Sequence, residues 1–309
     1  MRLLAALILT GFTLFSWNAH SQDTVFDWSK KVIELQSKEG QNFEQDLILL
    51  RGYLSFNRRT DALMLIQKMN RIHARKDIRL TELTETASEQ FFFQETAELH
   101  SEALQLMRDE NWSEAKEKLE SALQKEPGHR LLLNRVIQTL LALEQSSKAA
   151  DWFKIAEGLY PETGIDRIYR SWIGIQQQNA KDSIRPLSNL WYSDRKFFER
   201  NEAALLAFMK ATELNKYQLD VPAIQRMIQK HPEWWCARLM WVKSRWNSKP
   251  IELKKELLKI SKDLEVAERV KVPAKKDQKG NLDPFVGLVS KDGCKKDLNQ
   301  SLSAISETK

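Results

Sequence analysis

Residues Thr96–Pro161, TAELHSEALQLMRDENWSEAKEKLESALQKEPGHRLLLNRVIQTLLALEQSSKAADWFKIAEGLYP, hold the clear internal repeat of this chain. Setting Pro127 on Pro161 gives an offset of 34 residues. At that offset Ala115 falls on Ala149, Leu119 on Phe153 and Ala122 on Ala156. Helix packing explains the pattern. Apolar residues spaced by three and four make one buried face. Small residues such as Ala103, Ala115 and Ala122 let two helix backbones approach closely. A proline cannot continue the second helix and closes the unit. A lone helix pair cannot bury its apolar face, so such units stack.

A period of this length with small residues at these offsets resembles the tetratricopeptide repeat family. The family's early Trp-Leu-Gly is not matched, since Leu99, Glu102 and Ala103 stand there. The resemblance implies an all-α, right-handed solenoid of stacked antiparallel helix pairs, here with a flexible C-terminal tail. The spacing predicts helices over about 96–109, 113–125, 130–143 and 146–159, with Ser113 and Ser146 as N-caps. A third, degenerate unit starts near Gly164. Ser171 and Ser183 hold its small positions, and Pro186 is expected to shorten or kink its second helix.

The family lines its concave groove with the first helix of each unit. Carried onto this chain, that implicates His100, Leu104, Met107 and Arg108, then Leu131, Asn134, Gln138 and Leu141. This mix suits an extended peptide or an amphipathic helix better than a phosphate. Relatives that clamp a C-terminal carboxylate use Lys and Asn where His100 and Leu104 stand, so that ligand type is not expected. The alternative is that several of these residues are stacking core.

Outward from the repeats, the chain divides into a leader (1–21), an N-terminal helical region (22–95), the repeats (96–197), a C-terminal helical region (198–270) and a Lys-rich, partly disordered tail (271–309). Met1-Arg2, an apolar run from Leu3 to Trp17 and Ala19-His20-Ser21 read as a secretory signal peptide cut near Ser21. The alternative is an uncleaved anchor, for which the apolar run is short. No later segment is expected to cross a membrane. Phe91-Phe92-Phe93 is expected to be buried between helices, with a partner-binding strip as the other reading.

Export bears on the two cysteines, Cys236 and Cys294. In an oxidising compartment they pair plausibly as a disulfide. Such a bond closes a loop of nearly sixty residues, worth about 4 kcal/mol in the chain-entropy model. The alternative is two free thiols. With the bond formed, the apolar island Pro284–Val289 is expected to dock on the helix carrying Cys236. Without it, most of the tail is expected to be mobile.

Ten tryptophans are many for this length, and four fall between Trp234 and Trp246. Trp234, Arg238 and Trp241 share a helical face, and Arg245 stands close by. Exposed Trp beside Arg stacks on sugar rings, so these four residues are an alternative site for envelope glycan. The other reading is core packing.

Net charge is +6 with a pI near 9.1, spread along the chain, and does not call for nucleic acid. The five histidines stand in no metal-ligand arrangement, and the cysteines lack Cys-x-x-Cys spacing. The ten glycines form no phosphate-cradling loop or nucleophile elbow. The expectation is therefore a periplasmic or secreted scaffold or adaptor for protein or peptide partners. No enzymatic activity, cofactor or metal is expected.

Overall fold

The computed structural model describes residues 31, 33–40, 42–73, 77–217, 221–245, 250–270, 283–285, 287–289 and 291–307. The leader, with the proposed cleavage near Ser21, lies outside the described residues. Among the described residues the regular structure is helical, without strands. No described helix is long and apolar enough to cross a membrane. Two compact units meet between Gln90 and Phe91.

The first unit contains α1 (Phe43–Ser55), α2 (Arg59–His73) and α3 (Ile78–Glu89), each packed on the other two. Asn42 caps α1 by accepting from the Glu44 and Gln45 N–H groups at 2.9 and 3.3 Å. Leu47, Leu50, Tyr53, Ala62, Ile66 and Met69 fill the core. Tyr53 and Ala62, nine apart as in a helical hairpin, are both buried. Arg59 is buried and spends its guanidinium on carbonyls at the end of α3, donating to Ala87 O and, at 2.6 Å, to Gln90 O. Those carbonyls have no partner inside the helix, so the cation caps the helix C-terminus.

The second unit opens with α4 (Gln94–Arg108), α5 (Trp112–Lys125), α6 (Arg130–Ala142), α7 (Ser146–Leu159), α8 (Gly164–Gln176) and α9 (Ala180–Ser193). Each helix packs on its successor, and α8 also touches α6. Ala103, Ala115, Ala122 and Ala149 have no exposed surface, as close helix approach requires. The three turns inside these pairs are alike. Glu110, Glu144 and Gln178 lie 34 residues apart and have φ of 59°, 57° and 56°. After each, the next N–H returns to a carbonyl five residues back: Asn111 to Leu106, Gln145 to Leu140 and Asn179 to Gly174. This left-handed closing turn satisfies carbonyls at the end of the first helix. The 34-residue register therefore runs through the third unit without a break.

Several local expectations change. The N-caps of α5 and α7 are Asn111 and Gln145, without a side-chain cap bond, because the helices begin at Trp112 and Ser146. Helix α9 continues through Pro186 to Ser193. Its approach to α8 is set by small residues. Ser171 Oγ donates to Ser183 O at 2.6 Å, and a Cβ on Gly174 would stand 2.6 Å from Ser183 N. The phenylalanine run is only partly buried. Phe91 stacks on His129 with centroids 4.2 Å apart, while Phe93 is 41 % exposed. The run's main chain is what the fold uses: the Phe92 and Phe93 N–H groups both donate to the buried Glu126 carboxylate at 2.9 Å.

Helix α10 (Arg195–Arg200) leads into α11 (Glu202–Leu214), which is apolar nearly all round and buried against α8, α9, α10 and α13. There follow α12 (Val221–Lys230), α13 (Trp235–Ser244), α14 (Pro250–Val270) and α15 (Lys291–Glu307). Helices α13, α14 and α15 pack together. Cys236 on α13 is bonded to Cys294 on α15, with Cα atoms 5.6 Å apart. The region expected as a partly disordered tail thus contains a helix pinned to α13.

A candidate peptide groove on α6 and α8

The groove is built by two helices of successive units. On α6, Arg135 and Gln138 are buried one helical turn apart, and Arg135 Nη1 donates to Gln138 Oε1 at 2.7 Å. On α8, Tyr169 is fully buried one repeat later, 34 residues from Arg135. Burial pushes the Tyr169 phenol up, against the opposing pull of Arg135, so the hydroxyl remains a donor.

The occupant is the chain's own apolar island. Arg135 Nη1 and Gln138 Nε2 both donate to Asp283 O at 3.3 Å. Tyr169 Oη donates to the next carbonyl, Pro284 O, at 2.8 Å. Phe285 is 6 % exposed, with the Tyr169 and Phe197 rings each edge-on at 6.2 Å. Asp283 Oδ1 accepts from Phe285 N at 2.8 Å, a turn that leaves both carbonyls free to face the groove. Gly287 has φ of 82°, and a Cβ there would stand 2.5 Å from the Trp112 ring and 3.1 Å from Ala142 Cβ. Leu288 is buried. The island was expected on the helix carrying Cys236. It docks on α6 and α8 instead, where side-chain donors to its main chain and an aromatic socket coincide.

Of the residues picked from sequence, Gln138 touches the segment directly. Met107 and Leu141 are buried at 0 % and 1 %. Leu104, Arg108, Leu131 and Asn134 are half-buried. His100 is half-buried, with its Nε2 enclosed and without a hydrogen-bond partner. Burial, with the nearby Arg135 charge, pushes its pKa down to about 4, so it is neutral at pH 7.

Sequence reasoning passed over Arg135, Tyr169, Phe197 and Trp112. One signal was present for the first two. They occupy the same position of consecutive repeats, and Arg135 lies one turn from Leu131 on the face already singled out.

The described tryptophans of the Trp-rich segment are packed. Trp234, Trp235 and Trp241 are 3 %, 9 % and 8 % exposed, and Trp234 stacks on His231 at 4.1 Å. Arg238 is buried, donating to Asp263 at 2.6 Å, Glu256 at 2.7 Å and Pro232 O at 2.9 Å. Burial disfavours its charge, but the bonds to Asp263 and Glu256 outweigh that, and its pKa is raised. Arg245 lies over the Trp241 ring at 5.3 Å. Among the described residues, these three rings offer no open face for a sugar ring, and Trp246 lies outside the described residues.

None of the protein-family models, curated proteins or solved structures compared with this chain matches it.

Proposed function

We propose that this chain is a scaffold of tetratricopeptide-like repeats that binds protein or peptide partners in the groove of α6 and α8. In this reading the pairs α4–α5, α6–α7 and α8–α9 wind as a right-handed solenoid, and the activity is recognition rather than catalysis. One observation carries it. Arg135, Gln138 and Tyr169 donate to two successive main-chain carbonyls, and an aromatic socket receives the next side chain. Bonds to the main chain supply affinity for a peptide that presents two successive carbonyls in a turn, and the socket supplies specificity. Packed helices hold the donors in place beforehand, which lowers the ordering cost of binding.

The proposed site of action is outside the cytoplasm. Its supports are the signal-like leader and the Cys236–Cys294 bond, which belongs to an oxidising compartment.

The test is quantitative capture from envelope extract with the full chain carrying Phe285→Ala, which removes the side chain filling the socket, beside the same chain with Arg135→Ala or Tyr169→Phe added. The expected result is a protein retained by the first and lost when either groove residue is changed. Equal capture by all three overturns the groove assignment.

A further inference from the structure

The segment in the groove is held as a ligand would be, although it belongs to the same chain. It lies more than a hundred residues from the helices that bind it, separated by 148 residues from Arg135 and by 115 from Tyr169. What α6 and α8 read is its main chain, Asp283 O and Pro284 O, with the Phe285 side chain in the socket. Pro284 contributes no N–H that would need a partner in the groove. Gly287 passes where a Cβ would collide with Trp112, so the contact also selects glycine at that step.

The segment is tethered on both sides. Before it, α14 packs on α13; after it, α15 is bonded to α13 through Cys294. Such a tether keeps a weakly bound segment at high effective concentration over its site.

Resting on the reading of this groove as a peptide site, we propose that its ligands are peptides of the class Asp-Pro-Phe-x-Gly-Leu in the turn conformation of residues 283–285, where Phe285 N donates to Asp283 Oδ1 and Leu288 N to Phe285 O. Residues 283–288 are then an internal copy that competes with them and keeps the groove closed. A partner bearing the same pattern binds by displacing the copy. The disulfide strengthens the competition by confining the far end of the segment.

The experiment is fluorescence anisotropy with a labelled synthetic decapeptide, residues 281–290 of this chain, and a scrambled control. It is titrated with the oxidised full-length protein and with Phe285→Ala, which weakens the internal copy while leaving the groove residues intact. Gly287→Ala is a second route, since its new methyl group meets Trp112 and expels the segment. Circular dichroism identifies which variants remain folded. The expected result is binding at least about tenfold tighter to either folded variant than to the wild type, as removal of a tethered competitor implies. Adding Tyr169→Phe to the variant weakens it again. Equal affinity for wild type and variant, equal affinity for the scrambled peptide, or no binding to any of them overturns the proposal. If an envelope protein is captured in a Tyr169-dependent way but the decapeptide does not compete with it, the groove reading stands and the internal-ligand proposal falls. If neither capture nor decapeptide binding depends on Tyr169, both fall.

Discussion

Arg135 and Tyr169 occupy the same position in consecutive 34-residue repeats, and they donate to the consecutive carbonyls of Asp283 and Pro284. Two long side chains from neighbouring helices thereby converge on adjacent carbonyls of one peptide main chain. Gln138, one turn beyond Arg135, adds a second donor to the first carbonyl.

That match predicts the effect of Tyr169→Phe on stability. The change keeps the ring against Phe285 and removes one buried hydrogen bond, leaving Pro284 O without its donor. The expected loss is about 1–2 kcal/mol, read from urea unfolding. Hydrogen exchange is expected to show faster exchange at Phe285 and Leu288, while α4 and α5 stay protected. An unchanged midpoint and unchanged exchange would show that the segment does not depend on this bond.

The disulfide sets a second expectation. Replacing Cys236 and Cys294 together by serine opens a loop spanning a separation of 58 residues. The expected cost is about 2–4 kcal/mol, mainly through the unfolded chain. Urea midpoints with and without reductant measure it. Reductant should shift the wild type and leave the double variant where it is.

His100 predicts a pH dependence. Its folded pKa of about 4 lies below the ordinary histidine value near 6.5. Between those values the unfolded chain holds more protons, so stability rises with pH. The contribution is complete above about pH 6.5 and is lost as pH falls toward 4. Its size is on the order of 2–3 kcal/mol. His100→Gln, which cannot titrate, should flatten the slope of the urea midpoint between pH 4 and 6.5 relative to the wild type. Parallel slopes would assign the wild-type dependence to other groups.

Gly174 predicts a backbone effect. A Cβ there would press on the Ser183 main chain, which cannot move aside as a flexible side-chain end does. Gly174→Ala should destabilise the second unit by about 1–3 kcal/mol despite the better helix propensity of alanine. A gain in melting temperature would mean that α8 and α9 separate at little cost.

Trp241 separates packing from glycan binding. With the side chain 8 % exposed, Trp241→Ala should cost about 3–5 kcal/mol in thermal or urea unfolding. Sedimentation with purified cell-wall glycan should be the same for wild type and variant. Glycan retention that depends on Trp241 in a folded variant would revive the sugar-binding reading.

Helical class, the 34-residue register and the small positions at Ala103, Ala115, Ala122 and Ala149 were legible in the sequence, because they follow from spacing within a few turns of chain. The cysteine pair was legible as an even pair expected outside the cytoplasm. The third unit looked degenerate because serine stood for alanine and Pro186 fell inside a helix. Its turn, with Gln178 in the left-handed region, keeps the register all the same.

The groove was half legible. The resemblance to the repeat family pointed to α6 and so to Gln138. It could not distinguish Met107 and Leu141, which are buried, from Arg135, which donates to Asp283 O. A hydrophobic pattern reports which face is covered and not what covers it. Likewise, the Trp-rich helix carries the same residue types whether its rings are open or packed.

By itself the sequence determined the element type, the repeat period and the pairing potential of Cys236 and Cys294. All of these depend on local spacing or residue chemistry. Only the tertiary structure decided that Asp283–Phe285 lies on Arg135, Gln138 and Tyr169, and that Trp234 and Trp241 are buried. Contacts across more than a hundred residues of chain depend on where whole helices come to rest, and no local pattern encodes that. The face that the resemblance could only outline is, in the folded chain, already covered by residues 283–285 and 287–288.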